Sequence, residues 1–173
     1  MSSTADREIV QTRLLDAPRE LVWEVWTDPK HIDRWWGPRG FTNVTRSMQV
    51  VVGGVWEYVM HGPDGNAWDN WIKYIEVKKP ERLVYWHGSR EGDPDQFHVT
   101  LTFDAEGAKT RLTMHSVFGT VEKLEAVKRF GAVELGQQTL DKLAEHLASL
   151  LTASVSASAA PNSIGDRLAA AHA

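Results

Sequence analysis

The chain has 173 residues, a net charge of −4 with acidic and basic residues interspersed, and no cysteine. This composition excludes a disulfide framework, thiol catalysis and thiolate metal sites, and it gives no basic field that would indicate nucleic-acid binding. We expect one cytoplasmic domain with its own core, because the sequence has neither a signal peptide nor an apolar run near the roughly 18 residues that span a bilayer.

Two short helices are predicted close to the N-terminus, directly after a first strand at Glu8 to Leu15. The segment from Ala17 to Phe41 holds four of the eight tryptophans. Pro18 predicts the start of the first helix because its fixed φ suits a helical first turn, and Asp28-Pro29 separates the two helices. So much aromatic surface on two short helices requires a concave partner elsewhere in the chain.

Six further strands follow, separated by short turns rich in glycine and proline. The predicted strands span residues 41–52, 55–61, 68–77, 82–87, 96–103 and 110–118. Short turns between successive strands indicate an antiparallel sheet. In the strand over 68–77 both faces are apolar, so its inward face stays undetermined.

A long amphipathic helix is predicted at the end of the domain. Its apolar stripe consists of Leu140, Leu143, Leu147 and Leu150. Gly131 predicts a break between this helix and an upstream one that begins near Thr120. We expect an N-terminal arm at residues 1–6, a domain at 7–151 and a mobile Ala/Ser-rich tail at 152–173.

This order of elements predicts an α+β fold in which a curved antiparallel sheet of six or seven strands wraps around the C-terminal helix. The helix buries its leucine stripe by lying across the concave face, and the two short helices close one end. A cavity is left between them if the inward side chains do not fill the space.

Several segments in this order resemble one known superfamily. They are APRELVWEVWTDPKHIDRWWGP at 17–38, Gly53-Gly54, Pro63-Asp64-Gly65, KKPERLVYW at 78–86, KTRLTMH at 109–115 and LGQQTLDKLAEHL at 135–147. The chain resembles the SRPBCC or START-like superfamily over about residues 7–150. Within it, the chain is similar to the family named after the C-terminal domain of the activator of the large heat-shock chaperone ATPase. The resemblance implies the helix-grip fold of the major birch-pollen allergen.

The resemblance leaves the function open, because the family includes ligand carriers, chaperone regulators, resistance proteins and a minority of enzymes. Many members carry a Gly-Trp pair in the last helix where this chain has Gly136-Gln137. The difference removes one aromatic group from the expected pocket and changes the shape of ligand that would fit.

We predict that inward aromatic and apolar side chains line a cavity for a small hydrophobic or aromatic molecule. The predicted ligand-binding residues are Trp36, Phe41, Trp56, Tyr58, Met60, Trp71, Tyr85, His87, Phe97, Val99, Leu112, Met114 and Phe118. Tyr58, Tyr85 or His87 would supply the orienting polar contacts.

Two other functions remain open from the sequence. One is a lyase- or cyclase-type enzyme in the same cavity, with His87 as the candidate general acid or base. The pattern of Leu83, Tyr85 and His87 at period two is compatible with an inward His87 without requiring it. The other is a chaperone-interacting module that acts through its outer surface.

No metal-ligand spacing is present among the histidines and carboxylates, so we predict neither a metal nor a cofactor. His98 and His115 alternate with inward residues and are predicted to point outward, and His146 is predicted to be solvated. Glu57 is placed on the outer face, and Asp69 in a turn or cap.

Two surface features are predicted around the short helices. The basic cluster of Lys30, Arg34, Arg39 and Arg46 is interpreted as a solvated face in preference to a site for an anionic ligand or acidic partner. Exposed tryptophans on the short helices would offer a patch for a homodimer.

Overall fold

The computed structural model describes residues 3–159 as seven strands and four α-helices, preceded by one turn of 3-10 helix at Ala5–Arg7. The strands are β1 (Glu8–Leu15), β2 (Thr42–Met48), β3 (Val55–His61), β4 (Ala67–Lys78), β5 (Arg82–Gly88), β6 (Phe97–Glu106) and β7 (Lys109–Val117). The helices are α1 (Arg19–Thr27), α2 (Pro29–Trp35), α3 (Val121–Arg129) and α4 (Ala132–Ala159).

All seven strands form one antiparallel sheet in the order β1-β7-β6-β5-β4-β3-β2. Strands β2 to β7 pair with their neighbours in sequence, whereas β1 pairs with β7 at the opposite edge from β2. The two short helices connect the two edges, and α4 buries its leucine stripe against the same core as the sheet. The predicted α+β helix-grip architecture is confirmed.

The register of β3 and β4 determines the inward face that the sequence left undetermined. Tyr58 pairs with Asn70 and Trp56 with Ile72, so these β4 residues face inward. Trp71 pairs with the exposed Glu57 and therefore lies on the outer face of the sheet. The outward placement of Glu57 is as predicted.

The tryptophans of the short helices are buried rather than exposed. Trp23, Trp26, Trp35 and Trp36 are 4%, 2%, 0% and 8% exposed. The ring centroid of Trp26 lies 4.7 Å from that of Trp35, 5.9 Å from Trp36 and 5.7 Å from Phe103. The predicted tryptophan patch for a homodimer was therefore wrong, because these rings pack between the helices and the sheet.

The boundaries of the short helices depend on proline and aspartate. Pro18 has an extended ψ of 149° and caps α1, which begins one residue later than predicted. Asp28 separates the two helices as expected, and its side chain accepts a hydrogen bond of 2.9 Å from the backbone N–H of Lys30. Pro29 then occupies the first turn of α2, where its missing N–H has no cost.

Helix α2 is fastened to β2 by one carboxylate. Asp33 Oδ1 accepts hydrogen bonds of 2.6 Å from both Asn43 Nδ2 and Thr45 Oγ1, and its Oδ2 accepts one of 3.0 Å from the Thr45 backbone N–H. Three donors converge on this carboxylate, so it fixes the distance between the second short helix and the edge of the sheet.

The predicted break before the long helix is confirmed at Gly131, whose φ of +84° is readily adopted only by glycine. Helix α4 continues to Ala159, so residues 152–159 of the predicted tail are helical and residues 160–173 lie outside the described part of the chain. None of the helices within residues 3–159 combines the length and apolar character needed to cross a bilayer.

We expect Asp33→Asn to lower the free energy of unfolding by roughly 2 kcal/mol. The NH2 group of an asparagine side chain cannot accept a hydrogen bond, so it would face donors that the carboxylate now satisfies. Urea unfolding monitored by tryptophan fluorescence measures this effect. The exposed Asp104→Asn variant is the control and should change stability by less than about 0.5 kcal/mol. Equal stability of the two variants would contradict the anchoring role of Asp33.

Candidate functional site

A cavity of about 380 Å³ lies between the inner face of the sheet, the segment from Trp36 to Pro38 and the N-terminal half of α4. This volume falls within the range of small-molecule sites, about 300–1,000 Å³. The predicted residues that line it are Trp36, Tyr58, Met60, Tyr85, His87, Phe97, Val99, Met114 and Phe118. The structure therefore brings most of the predicted set together around one space.

Four predicted residues lie elsewhere. Phe41 packs beside Trp68, with ring centroids 5.8 Å apart, and Trp71 faces outward because of the β4 register. Trp56 is inward, but Tyr58 stacks on it at 4.1 Å and separates it from the cavity. Leu112 is fully buried deeper in the core, outside the lining.

The lining also contains residues that the sequence analysis did not select. They are Ile9, Gln11, Trp26, Gly37, Pro38, Asn70, Ser116, Ala132, Leu135, Gly136, Thr139 and Leu140. Ser116 shares the alternation of Leu112, Met114 and Phe118, so its position was available from the period-two pattern. No local sequence pattern identifies the α4 residues of the lining, because only the packing of α4 on the sheet decides which of its turns border the cavity.

Hydrogen-bonding side chains form a polar network along the part of the cavity wall that β3, β4 and β5 supply. Trp36 Nε1 donates to Tyr58 Oη over 3.0 Å, and Tyr58 Oη lies 3.0 Å from His87 Nε2. Asn70 Oδ1 lies 3.3 Å from the same His87 nitrogen. His87 is therefore an inward residue held by groups from two neighbouring strands.

Two side chains contact the same ring nitrogen of His87. Asn70 Nδ2 donates to the backbone oxygen of Trp68 over 3.2 Å, which directs Asn70 Oδ1 toward His87. His87 Nε2 carries at most one proton, so it either donates to Tyr58 Oη and Asn70 Oδ1 or accepts from the Tyr58 hydroxyl. In both arrangements Tyr58 Oη accepts from Trp36 Nε1 and is hydrogen-bonded to His87.

The ionisable groups of this wall are uncharged near neutral pH. Burial lowers the pKa of His87 to about 4, although the nearby Asp93 carboxylate acts in the opposite direction. Burial also raises the pKa of Tyr58 and of Tyr85 above the ordinary tyrosine value. A neutral imidazole and two protonated phenols therefore face the cavity.

Two hydroxyls of the lining have no hydrogen-bond partner within residues 3–159. They belong to Tyr85 on β5 and Ser116 on β7, and both side chains border the cavity. Neither oxygen is among the buried side-chain atoms that lack a partner, so both hydroxyls are accessible from the cavity. These two groups are therefore candidate contacts for a bound molecule.

Helix α4 holds the Gly37–Arg39 side of the cavity in place. Lys142 Nζ donates to the backbone oxygen of Gly37 over 3.0 Å, and Gln138 Oε1 accepts from the Arg39 backbone N–H over 3.2 Å. Arg39 also pairs with Glu145 over 2.5 Å. These contacts fix the distance between α4 and the loop after α2.

The predicted basic cluster is exposed at all four positions. Arg46 forms an ion pair of 3.2 Å with Asp69, and the side chains are 59% and 68% exposed. Asp69 therefore lies inside β4 and pairs with a residue of β2, instead of making the predicted turn or cap contact. Pairs this exposed contribute little to stability.

The histidines outside the cavity are placed by the sheet and by helix packing. His98 packs against Trp86 on the outer face, and His115 lies 3.1 Å from Glu8 in an ion pair. Both point outward as predicted. The prediction that His146 is solvated was wrong, because its Nε2 lies 3.0 Å from His31 Nδ1 across the α2–α4 interface.

No group of three or more His, Asp or Glu side chains in the described part of the chain is arranged to hold a metal ion.

A family comparison agrees with the fold. Residues 16–148 match the model of the family described as "Activator of Hsp90 ATPase homolog 1-like protein". This match covers most of the chain, and the chain belongs to that family. No curated protein matches the chain.

Solved structures share the fold at low sequence identity. A protein from Arthrobacter aurescens is 23% identical with a TM-score of 0.79, over 86% of this chain and 90% of that one. A protein from Nitrosomonas europaea is 24% identical with a TM-score of 0.78, over 86% and 98%. An AHSA1 protein from Silicibacter pomeroyi is 22% identical with a TM-score of 0.67, over 82% and 97%.

The lowered pKa of His87 predicts a dependence of stability on pH. The unfolded chain takes up a proton on this imidazole below about pH 6.5, whereas the folded protein resists it down to about pH 4. The stability contributed by neutral His87 is present above pH 6.5 and is lost as pH falls through this window. We expect His87→Asn to reduce the stability lost between pH 7 and pH 4 by roughly 2–3 kcal/mol.

Urea unfolding at a series of pH values measures this difference. The exposed His61→Asn variant is the control and should retain the wild-type pH profile. A wild-type slope in His87→Asn would show that His87 titrates equally in the folded and unfolded states.

Proposed function

We propose that the protein binds a small hydrophobic or aromatic molecule in the cavity between its sheet and α4. The observation that carries the proposal is the cavity itself, about 380 Å³ of space bordered mainly by aromatic and aliphatic side chains. Transfer of an apolar molecule from water into such a space is favourable by about 25 cal/mol per Å² of apolar surface buried. Natural cores are otherwise packed without spaces of this size.

Small residues at the start of α4 support this proposal. Ala132 and Gly136 border the cavity and contribute little side-chain volume. A Cβ at position 136 would approach Gln11 Oε1 to 2.6 Å, so glycine leaves room for the Gln11 amide beside the helix. The next residue, Gln137, accepts a hydrogen bond of 2.8 Å from Arg13 and leaves the cavity open.

The low pKa of His87 favours ligand binding over general acid–base catalysis as the function of the cavity. A base with a pKa of about 4 is weak at neutral pH, whereas an efficient general base has a pKa near the working pH. The buried tyrosines are likewise poor acids, because burial raises their pKa. This arrangement suits hydrogen bonding to a bound molecule better than a lyase or cyclase reaction.

The family description also raises the regulation of a chaperone ATPase. That activity would use the outer surface, whereas the features that stand out among residues 3–159 lie inside. We therefore propose ligand binding as the primary function and treat chaperone regulation as the alternative.

A thermal-shift screen with small neutral aromatic and alicyclic compounds tests the proposal. A ligand present at a hundredfold excess over its Kd stabilises the folded state by about 2.7 kcal/mol, which corresponds to a rise in Tm of roughly 5–10 °C. We expect Ala132→Phe to abolish this rise, because the ring would occupy the cavity from α4.

The matched control is Ala126→Phe, which places the same ring on the exposed surface of α3. It should keep the full ligand-induced rise. Equal responses in the two variants, or no stabilising compound in a broad library, would refute binding in this cavity. Specific stimulation of a chaperone ATPase by an Ala132→Phe variant that no longer binds ligand would favour the alternative.

A further inference from the structure

The wall of the cavity carries no formal charge. No Asp, Glu, Lys or Arg side chain lines it within residues 3–159. The cations closest to the wall do not line the cavity, and oxygens of the protein hold them. Arg13 pairs with Asp141 at 2.8 Å. Arg7 and Lys142 donate to the backbone oxygens of Phe118 and Gly37 at 2.5 Å and 3.0 Å.

The titratable groups of the wall do not supply a charge either. Burial keeps His87 neutral above a pKa of about 4, and it keeps the phenols of Tyr58 and Tyr85 protonated. A carboxylate or an ammonium group that entered the cavity would lose its hydration without meeting a counter-ion. Burial of an unpaired charge is among the most unfavourable events in a protein interior.

The two hydroxyl-bearing residues Tyr85 and Ser116 are separated on the sheet by the apolar Val99. Ser116 pairs with Val99, and Val99 pairs with Tyr85, so the three side chains form one inward row across β7, β6 and β5. Adjacent strands are about 4.8 Å apart, which places the two hydroxyl-bearing residues about 10 Å from each other. His87 lies two residues after Tyr85 on the same face of β5, so it adds a second polar group at the Tyr85 end of this row.

The aromatic rings beside this row of residues favour a flat ligand. Phe97 stacks on Phe118 with ring centroids 4.9 Å apart, and His87 lies 4.9 Å from Phe97. Aromatic groups in such surroundings gain offset and edge contacts in addition to the burial of apolar surface.

We infer that the cavity selects an uncharged, flat aromatic molecule that carries a hydroxyl or carbonyl oxygen, and that Tyr85 and Ser116 are its specificity-determining contacts. This inference rests on the proposed function, since it names the class of molecule that the same cavity binds. The neutral wall rejects ionised analogues, and the two free hydroxyls distinguish an oxygenated ring from a plain hydrocarbon.

Three probes with the same fused ring separate these contributions: naphthalene, 2-naphthol and 2-naphthoate. At pH 7.5 the first two are neutral and the third is an anion. We expect 2-naphthol to bind roughly tenfold more tightly than naphthalene through the added hydrogen bond. We expect 2-naphthoate to bind at least a hundredfold more weakly than 2-naphthol, measured by isothermal titration on the full chain.

Two variants assign the contact. Tyr85→Phe and Ser116→Ala each remove one hydroxyl, and at least one of them should weaken 2-naphthol binding by roughly five- to tenfold while naphthalene binding stays within twofold. Tyr74→Phe is the matched control, because Tyr74 is buried beside Tyr85 but does not line the cavity. It should leave the affinity for all three probes unchanged.

The outcomes are distinguishable. Binding of none of the probes would overturn the proposed function and the inference together. Binding of 2-naphthoate as tight as that of 2-naphthol would overturn the inference and leave ligand binding intact. Equal affinity for naphthalene and 2-naphthol, with no effect of either hydroxyl deletion, would show that the polar groups do not select the ligand.

Discussion

The packing of Trp26 against its aromatic neighbours is the interaction on which the remaining structure depends. Its ring meets Trp35, Trp36 and Phe103 edge to face, so the two short helices and β6 share one rigid cluster. Buried aromatic groups of this size contribute more to a core than any other side chains. The cluster fills the space beneath the middle of α4, where Leu143 and Leu147 are buried in the same core.

This cluster also explains why the cavity lies at one end of the helix. The tryptophans occupy the region next to the short helices, and the N-terminal turns of α4 continue beyond them with Ala132 and Gly136 facing the sheet. Trp36 belongs to both regions, since it packs on Trp26 and donates its N–H to Tyr58. Trp36 therefore connects the core to the polar wall of the cavity.

The sequence was sufficient for the fold because its signals are local. Asp28-Pro29 and Gly131 mark helix ends through backbone chemistry, and period-two alternation in β3, β6 and β7 identifies the inward face. Alternation fails in β4, where Trp71 and Ile72 are adjacent and both buried. Only the pairing of β4 with β3 shows which of the two residues faces inward, so the sequence analysis wrongly placed Trp71 in the site.

The remaining errors arise from contacts that are distant in sequence. The approach of His146 to His31 depends on how α4 crosses α2, and the same crossing brings Leu135 and Thr139 to the cavity. Gln11 and Asn70 are polar residues on the inward face, which sequence reasoning assigns to solvent unless a cavity is known to be there. The apolar wall and the polar residues Tyr58, Tyr85 and His87 were thus predictable from the sequence, whereas Gln11 and Asn70 were not.

Methionine methyl NMR tests the central claim most directly, because Met60 and Met114 border the cavity and Met48 packs against the core outside it. The account predicts that a neutral aromatic ligand shifts the Met60 and Met114 methyl signals through its ring current and leaves Met48 unchanged. Shifts confined to Met48, or no change in any methyl signal at saturating ligand, would contradict a binding site between the sheet and α4.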